Sequence, residues 1–301
     1  MRLFAPRYYE QFKCIADRCR HSCCVGWEID VDADTLAYYQ ALEGEIGTRI
    51  RAGLAQGEEG AYFAMCEGRC PNLDEKGLCR IISALGEEAL CDICREHPRF
   101  YNEVGEDLEV GLGAACEAAA ALILAADDYA SFVLLEGEAQ ESPLTVCDFE
   151  AREWRARLYE KLNDARFPYE QRLARVAQGF GGKTALDGAE CAALFGALEY
   201  LDGAHRTLFL TPFATVCPDG LAPKAERFLA YLVYRHASGA QNESDFRTAV
   251  GMATLLERLF VTLVAKCGLS PEESARIISE EIEYSEDNTD AIRRALASPR
   301  V

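Results

Sequence analysis

Thiols are the residues of this chain with the clearest capacity for chemistry. Four cysteines stand within the eleven residues 14–24. Thiolate-rich sites select zinc, copper(I) or iron–sulfur clusters. We therefore expect a cysteine-ligated metal centre in the first third of the chain. Ten of the 14 cysteines lie there: Cys14, Cys19, Cys23, Cys24, Cys66, Cys70, Cys79, Cys91, Cys94 and Cys116.

The spacing of these cysteines is irregular. It is C-x4-C-x3-C-C over 14–24, C-x8-C over 70–79 and C-x2-C over 91–94, followed by Cys116. Structural zinc sites usually show two C-x2-C pairs, or pairs mixed with histidine. An irregular, all-thiolate set favours an iron–sulfur centre, with zinc as the alternative. Adjacent cysteines seldom chelate one ion together, so Cys23 and Cys24 either serve two centres or include one structural thiol.

Other residues near or beyond this cluster have simpler interpretations. His21 stands inside the cysteine run, and we interpret it as a supporting or exposed residue rather than a ligand. A free cysteine behaves as a small hydrophobic residue in a protein core. That interpretation stays open for Cys66 and Cys91, and we expect it for the isolated cysteines Cys147, Cys191, Cys217 and Cys267.

Length and charge limit the possible functions. The chain has 301 residues, half of them hydrophobic, which is enough for one large domain or two intimate ones. Its 31 basic and 50 acidic residues give a net charge of −19. Such a surface repels phosphate backbones and anionic lipid, so we expect neither nucleic acid nor membrane as a partner. Residues 1–13 lack a signal-peptide pattern. We therefore expect a cytoplasmic protein, whose reduced thiols bind metal rather than form disulfides.

The hydrophobic pattern predicts a mainly α fold. We expect a cysteine-rich, metal-binding N-terminal region at 1–120 with short β-hairpins near 70–79 and 99–112. A helical, bundle-like region at 121–301 would pack against it, and no large parallel sheet is expected. Asp32 or Asp34 is expected to cap a helix that extends to about Leu42. Further predicted helices lie near 45–56, 79–97, 114–135, 148–163, 168–178, 186–201, 222–237, 243–266, 271–283 and 288–297.

Common enzyme motifs are absent from the sequence. There is no G-x-G-x-x-G after a strand, no G-x-x-x-x-G-K-[ST] and no H-E-x-x-H. The glycine-rich stretch 179–184 lacks the spacing and the preceding strand of a phosphate-binding loop. No nucleophile elbow is present either. The cysteine pattern therefore remains the strongest indication of function.

The segments around the cysteines resemble one known family, the flagellin lysine-N-methylases. This family overlaps a wider group of Cys-Cys-motif proteins assigned as zinc- or iron-chelating. Weaker similarity follows at 231–235, 281–285 and Asn288. The segments that carry the strong resemblance are 12–14, 19, 23–29, 70–73, 77–81, 85–88, 94–99 and 116–117.

The resemblance implies an activity, a substrate and cofactors. The activity is transfer of a methyl group from S-adenosylmethionine to lysine ε-amines of flagellin or another lysine-bearing protein. The implied cofactor is an iron–sulfur cluster of the 4Fe-4S type, with zinc as the alternative. No residue is assigned to bind S-adenosylmethionine. The implied metal ligands are Cys14, Cys19, Cys23, Cys24, Cys70, Cys79, Cys94 and Cys116.

The sequence departs from the family pattern at two positions. Cys91 stands where a small polar residue is expected, and His97 stands where a tyrosine is expected. The C-x3-C-x2-C triad of radical S-adenosylmethionine enzymes is also absent, so a radical mechanism does not follow from the spacing. A polar transfer needs a neutral lysine, which a carboxylate or tyrosine must position or deprotonate. Candidates for that role are Tyr234, Glu283 and Tyr284, which could equally well pack helices together.

A second hypothesis belongs to a different class of function. In it, the chain is a non-catalytic zinc- or iron-chelating protein, and its metal centre holds the fold together. Retention of S-adenosylmethionine by the purified protein would distinguish the two hypotheses.

Overall fold

The structure is a computed structural model that describes residues 1–58, 60–138, 150–181 and 186–297. Its contacts divide the chain into two compact units. The cysteine unit comprises Lys13–Arg99 and Cys116–Ala118, and the helical unit comprises Met1–Phe12, Phe100–Ala115 and Ala119–Val301. The two regions predicted at 1–120 and 121–301 are consecutive in the chain, whereas these units are interleaved.

Helices dominate the described residues, which confirms the mainly α class. The α-helices are α1 (Ala33–Ala41), α2 (Gly44–Ala52), α3 (Arg80–Leu85), α4 (Asp92–Glu96), α5 (Glu117–Ala125), α6 (Ala151–Leu162), α7 (Tyr169–Phe180), α8 (Gly188–Ala197), α9 (Gly203–Phe209), α10 (Ala222–Ala237), α11 (Glu243–Cys267), α12 (Pro271–Ile278) and α13 (Glu286–Ala297). A π-helical turn, Ser279–Glu283, continues α12. Short 3-10 turns cover Arg7–Gln11, Ala16–Arg18 and Glu87–Ala89.

The strands form two small sheets in the part of the chain that the structure describes. One sheet has three strands in the order β2-β4-β3, and the other has four in the order β5-β6-β1-β7. Neither reaches five strands, as expected for a mainly α protein. The strands are β1 (Leu3–Pro6), β2 (Asp30–Val31), β3 (Leu54–Gln56), β4 (Ala61–Phe63), β5 (Arg99–Val104), β6 (Asp107–Leu112) and β7 (Phe132–Glu136).

One helix cap and one small hydrophobic core stabilise the cysteine unit. The Asp32 carboxylate accepts a hydrogen bond from the Thr35 amide (2.9 Å) and thereby caps α1, as predicted. Its other oxygen accepts from the Asp92 amide (3.0 Å), which ties α4 to the same point. The core beneath is buried around Tyr39 and Phe63. The Tyr39 hydroxyl donates to the Ala89 carbonyl (2.7 Å), so this buried phenol has a partner.

The helical unit has α10 and α11 at its centre. Asn242 caps α11 by accepting from the Asp245 amide (3.0 Å), and Gly268 ends it in a left-handed conformation with φ +73°. The rings of Phe228 and Phe260 join the two helices at a centroid distance of 4.7 Å. By length and composition α11 could cross a membrane, but 78% of its most apolar window is buried inside the structure. That burial suits the core helix of a globular unit.

The four-stranded sheet belongs to the helical unit and carries a buried ion-pair network. Strand β1 runs parallel to β6 and antiparallel to β7. Glu109 on β6 is 1% exposed and pairs with Arg155 on α6, whose Nη2 lies 2.9 Å from Glu109 Oε1. The Arg155 guanidinium also lies 4.6 Å from the centroid of the Phe132 ring on β7. Arg152 on α6 also pairs with Asp107 and Glu109, so ion pairs as well as apolar contacts join the sheet and the helix.

Several predicted elements differ from the observed ones. The helix predicted at 114–135 ends at Ala125, and β7 follows, because β1 supplies a hydrogen-bonding partner that local sequence does not reveal. The helix predicted at 45–56 ends at Ala52. A Cβ at Gly53 would lie 2.6 Å from Pro71 Cγ, so this position lets the two segments approach closely.

Two further predictions were partly wrong. The helix predicted at 79–97 is broken at Gly86, whose φ of +93° is unsuitable for a continuing helix. The segment 70–79 forms a turn with a single antiparallel bridge between Leu73 and Cys79 instead of a hairpin of strands. The hairpin predicted at 99–112 is confirmed as β5-β6, with Gly105 at its turn. Strand β1 and helix α9 were not predicted.

Replacement of Gly111 tests the packing of β6. A Cβ there would lie 2.3 Å from Phe100 Cζ and 2.8 Å from Tyr234 Cε1. We expect Gly111→Ala to cost about 1–3 kcal/mol through overpacking. Thermal unfolding should show this as a fall in Tm of about 2–4 °C for each kcal/mol lost in a unit of this size.

The matched control for this test is Gly203→Ala in the same unit. A Cβ at Gly203 meets nothing within 4 Å, so the control should keep the wild-type Tm or raise it slightly. Equal Tm values for the two variants would contradict the proposed close packing at Gly111.

Candidate functional site

All eight predicted metal ligands lie in the cysteine unit, although they come from segments up to about a hundred residues apart. Cys70 is buried, and Cys14 and Cys23 are exposed. The half-buried members are Cys19, Cys24, Cys79, Cys94 and Cys116. The unit also contains two cysteines outside the predicted set, the exposed Cys66 and the buried Cys91.

Backbone hydrogen bonds hold three of the ligands in place. The Cys70 amide donates to the Cys24 carbonyl (2.8 Å), and the neighbouring residues Val25 and Arg69 form an antiparallel bridge. The chain then turns so that Leu73 pairs with Cys79. Two remote cysteines, Cys24 and Cys70, are therefore fixed side by side, and the turn brings Cys79 back towards Cys70.

Five thiols line the hydrophobic core of the unit. They are Cys24, Cys70, Cys79, Cys91 and Cys94. Burial, together with the charges of Cys24 and Cys79, raises the pKa of Cys70 to about 11. The hydrogen bond between Cys91 and Cys94 lowers the pKa of the first thiol and raises that of the second.

The remaining predicted ligands lie outside that core. Cys19 Sγ is 3.3 Å from the His21 carbonyl oxygen and 3.9 Å from Glu117 Oε2, beside Cys116 in sequence. Glu117 in turn accepts hydrogen bonds from the amide (3.0 Å) and Nε (3.1 Å) of Arg20. Burial raises the pKa of Cys19, and the negative charges of Glu117 and Cys14 add to that effect.

Cys23 and Cys24 connect the thiols that line the core with those that lie outside it. Their side chains are hydrogen-bonded to each other, which raises the pKa of Cys23 and lowers that of Cys24 to about 7. The charges of Cys14 and Cys116 also raise the pKa of Cys23. The nearby Arg69 guanidinium favours the thiolate of Cys24. A thiolate at this position is the form that binds metal.

The arrangement of thiols bears on which metal group suits the unit. A tetrahedral zinc site with Zn–S bonds of about 2.3 Å places its sulfur atoms about 3.8 Å apart. Within the described residues, the one set of three ligand atoms lying mutually within 4.8 Å contains no cysteine. An iron–sulfur cluster interposes irons and sulfides and so spans a wider set of thiolates. The donor type fits either metal, and the spacing favours the larger group.

The three residues whose ligand atoms lie within 4.8 Å of one another are His205, Glu280 and Glu281 in the helical unit. Sequence reasoning did not anticipate it. His205 Nδ1 lies 2.6 Å from Glu281 Oε1, and Glu281 Oε2 accepts from the Leu201 amide (2.8 Å). Glu280 pairs with Arg276 at 2.7 Å. These side chains therefore already have protein partners, and the set serves to join α9 to the π-helical turn.

The three predicted catalytic residues have different partners in the structure. Tyr234 is buried, and its hydroxyl donates to the Val110 carbonyl (3.0 Å). Glu283, whose side chain is fully buried, instead accepts from the Tyr231 hydroxyl (2.6 Å). Tyr284 is joined to Glu283 through Arg235, whose guanidinium lies 5.0 Å from the Tyr284 ring centroid. Their catalytic roles stay a prediction.

Tyr231 is the member of this network that the sequence analysis did not single out. Its hydroxyl accepts from the Ala114 amide (3.0 Å) while donating to Glu283. Residues four apart lie on one face of a helix, so its spacing from Arg235 on α10 was the available signal. The Glu283 carboxylate is also 2.8 Å from His236 Nε2 and 3.4 Å from Arg235 Nε.

The electrostatics of this network favour a permanent negative charge on Glu283. Burial alone would raise its pKa, but the charge of Arg235 and the hydrogen bond from His236 lower it to about 2. Burial lowers the pKa of His236. Burial and the charge of Glu283 raise the pKa of Tyr231 well above its usual range. The three groups thus form a buried, charge-stabilised cluster.

The later cysteines occupy ordinary packing positions where the structure describes them. Cys191 and Cys217 are buried in the helical unit, as predicted for structural thiols. Cys267 is half-buried, and its Sγ lies 3.5 Å from Thr211 Oγ1. Cys147 lies outside the described residues.

Comparison with curated proteins finds flagellar relatives in Salmonella. A lysine-N-methylase of Salmonella typhimurium is 33% identical over 132 residues, which cover 40% of this chain and 31% of the relative. The lysine-N-methylase of Salmonella choleraesuis gives the same figures. The flagellar biosynthetic protein FliU of Salmonella muenchen is 30% identical over 128 residues, or 40% of this chain and 75% of FliU. No protein-family model and no solved structure matches.

The fold and the relatives together define what this chain is. All eight predicted metal ligands lie in one compact unit of a mainly α chain. The chain is therefore a mainly α protein with a cysteine-rich unit. The chain belongs to the flagellin lysine-N-methylase family. It spans 31% of the length of the two lysine-N-methylases that it matches.

Removal of metal should unfold the cysteine unit selectively. Binding energy at a site assembled only in the folded chain is folding energy, on the order of 10 kcal/mol for structural zinc. A domain has only about 5–15 kcal/mol of net stability. After anaerobic chelation, limited proteolysis should therefore cut first within Lys13–Arg99. Cys191→Ser should retain both the metal content and the protease resistance of the wild type. Unchanged resistance in the metal-free protein would contradict a structural role for the metal.

Replacement of Glu283 tests the buried network. Glu283→Gln leaves Arg235 without a buried countercharge, and we expect a loss of about 3–5 kcal/mol at pH 7. Because the folded-state pKa lies below the ordinary value of 4.5, the carboxylate contributes stability above pH 4.5 and loses it as the pH falls towards 2. The free energy of unfolding of the variant should therefore depend less on pH than that of the wild type between about pH 2 and 4.5.

Chemical denaturation between pH 2 and 7 measures both effects. The exposed Glu160 on α6 provides the matched control, and Glu160→Gln should follow the wild-type pH profile. Identical pH profiles for Glu283→Gln and the wild type would show that Glu283 is not held ionised by its neighbours.

Proposed function

We propose that this chain is an S-adenosylmethionine-dependent lysine N-methylase that acts on protein lysines, as on flagellin, and carries a cysteine-ligated iron–sulfur cluster. The carrying observation is the gathering of all eight predicted ligands in one unit of a chain with lysine-N-methylase relatives. Zinc remains the alternative metal.

The thiols are suited to hold such a group. Soft thiolate donors favour iron–sulfur clusters and zinc over hard cations. The ligand set includes exposed as well as buried thiols, with Cys14 and Cys23 reaching the surface of the unit. When bound, a cluster with one open iron would supply a coordination point for the amino acid end of S-adenosylmethionine. The exposed thiols support access of a small molecule to that side.

The reaction itself requires little covalent help from the protein. Lysine Nζ forms a bond to the methyl carbon as the bond from that carbon to the sulfonium sulfur breaks. S-adenosylhomocysteine leaves, and the amine loses a proton to a base or water. Free lysine has a pKa of about 10.4, so the enzyme must bind the side chain where its neutral form is accessible.

The buried network supports positioning better than proton removal. A carboxylate with a pKa of about 2, such as Glu283, is a weak base at neutral pH. Its contacts with Tyr231 and Arg235 instead fix the side chains around it. Tyr284 is half-buried beside the same arginine, and the Tyr234 hydroxyl donates its hydrogen bond to the Val110 carbonyl. We infer that Glu283 orients neighbouring groups and that Tyr284 is the member of the predicted trio nearest to the surface.

Charge supports a protein partner with accessible lysines. The net charge of −19 attracts basic side chains and repels nucleic acid. The name of the FliU relative connects that protein to flagella, which favours flagellin as the substrate. A cytoplasmic location would give the enzyme access to flagellin before export.

Methyl transfer can be tested directly with the anaerobically purified protein. Incubation with flagellin and S-adenosylmethionine that carries a labelled methyl group should yield ε-N-methyl-lysine by mass spectrometry. Isothermal titration should show binding of S-adenosylmethionine. Iron, sulfide and zinc analysis of the same sample identifies the metal.

Two cysteine variants provide a matched comparison. Cys79→Ser removes a proposed ligand and should lower the rate of methyl transfer by roughly 10-fold or more. Cys191→Ser removes a buried thiol of the helical unit and should leave the rate unchanged. A protein that holds metal but neither binds S-adenosylmethionine nor methylates lysine would instead be the non-catalytic metal-binding protein of the second hypothesis.

A further inference from the structure

We infer that a cleft in the cysteine unit binds a lysine-bearing segment of the protein substrate. The cleft has a volume of about 440 Å³, within the range of about 300–1,000 Å³ that ligand pockets occupy. It lies where strand β2, the adjoining ends of β3 and β4, and the first residues of α1 and α4 meet. The inference rests on the proposed function, because it names the place where the lysine substrate of that function binds.

Part of the cleft is apolar. Val31 on β2 and Ala61 on β4 are buried, are paired in the sheet register and line the cleft. The half-buried Leu36 and the exposed Ile93 extend this apolar lining. Apolar side chains grouped in a concave surface are typical of ligand pockets. They suit the methylene chain of a lysine, which packs on apolar surface while its ammonium group stays near charge and water.

Three carboxylates accompany these apolar groups, those of Asp30, Asp32 and Asp92. Asp92 already pairs with Arg95. Asp30 and Asp32 form no ion pair with any residue that the structure describes. Among the same residues, none that lines the cleft carries a positive charge. The cleft therefore holds uncompensated negative charge, which attracts an ammonium group.

The arrangement of the carboxylates disfavours an anion or a metal ion as the occupant. The Asp32 carboxylate accepts hydrogen bonds from the amides of Thr35 (2.9 Å) and Asp92 (3.0 Å). It thereby takes up amides that an anion would otherwise contact at the start of α1 and α4. Within the described ranges, the three aspartates do not form a compact set of metal-ligand atoms. Carboxylates spread around an apolar surface suit an organic cation instead.

The position of β2 favours a polypeptide over a small free amine. Strand β2 is at the edge of its sheet, whose order is β2-β4-β3. Both residues of the strand, Asp30 and Val31, line the cleft. An extended segment can add to a sheet edge by backbone pairing while its side chains enter neighbouring pockets. A lysine in such a segment is held through its backbone as well as through its side chain.

The cleft shares helix α4 with the proposed metal site. Asp92 and Ile93 line the cleft. The next residue, Cys94, is one of the predicted metal ligands and lies against the core of the unit. A segment bound in the cleft therefore lies beside a helix that carries a proposed ligand. Methyl transfer to its lysine would require such a placement.

The first measurement compares two short peptides on the full chain, purified anaerobically and with its metal content determined. The peptides have blocked ends and an uncharged glycine–serine sequence around one variable position. That position is lysine in one peptide and norleucine, which has a similar chain without the ammonium group, in the other. Titration calorimetry in about 0.15 M salt should show about fivefold tighter binding of the lysine peptide, because only its ammonium group pairs with the aspartates.

Matched charge reversals then locate the binding site. Asp30→Lys places a cation in the cleft and should weaken binding of the lysine peptide about tenfold. Glu45→Lys makes the same change of charge at an exposed position on α2 that does not line the cleft. It should change the affinity less than about twofold, since salt screens distant charges. The isosteric Asp30→Asn should weaken binding about two- to fivefold and replaces the reversal if circular dichroism shows that Asp30→Lys is misfolded.

Several results would overturn the inference. They are no binding of the lysine peptide, equal binding of both peptides, and equal weakening by the two charge reversals. Displacement of the lysine peptide by magnesium at an equal concentration would assign the aspartates to a metal ion. Tighter binding of spermidine than of the lysine peptide would assign the cleft to a free polyamine.

Methyl transfer to flagellin, measured on the same samples, separates this inference from the proposed function. Selective binding of the lysine peptide without methyl transfer would contradict only the proposed function. If methyl transfer occurs, Asp30→Lys should raise the KM for flagellin more than it lowers kcat, because the cleft binds the substrate and performs no chemistry. Methyl transfer with the same KM in Asp30→Lys and the wild type would contradict only the assignment of the cleft.

Discussion

The cysteine unit depends on bringing together thiols that are remote in the chain. Cys24 and Cys70 are separated by 45 residues, yet a backbone hydrogen bond of 2.8 Å fixes them side by side. Closing such loops costs conformational entropy, and the core around Tyr39 and Phe63 offsets part of that cost. Buried thiols add little stabilisation of their own, whereas a bound metal would add much more. A metal bound as proposed would therefore supply stability that the apolar core of the unit does not supply.

The helical unit uses buried charge where the cysteine unit uses thiols. Glu109 pairs with Arg155, and Glu283 is surrounded by Tyr231, Arg235 and His236. Buried ion pairs contribute little net stability compared with apolar packing, but removal of one partner is costly. Such networks thus fix geometry more than they add stability. For the proposed methylase activity, which requires a flexible lysine side chain to be oriented, fixed geometry would be the more useful property.

The sequence predicted the helices with strong local signals. The bounds of α10 were predicted as observed, and the capping residue of α1, Asp32, was one of the two predicted candidates, because apolar periodicity and caps are local features. Strands β1 and β7 were missed because each is defined by its partner across more than a hundred residues. For the same reason, the cysteine spacing indicated a metal site but not which thiols line the core of the unit. Tyr231 escaped notice because only the folded chain brings it to Glu283.

The interleaved course of the chain also sets an order of assembly during synthesis. The cysteine unit is complete once Ala118 has emerged, whereas β1 must wait for β7 to complete its antiparallel pairing. Translation at about 5–20 residues per second needs roughly 10–40 s more to produce the rest of this chain. The thiols can therefore assemble while most of the helical unit has yet to be made. Synthesis therefore delivers all ten cysteines of the unit before most of the helical unit, which would leave time for a metal to bind before the chain is finished.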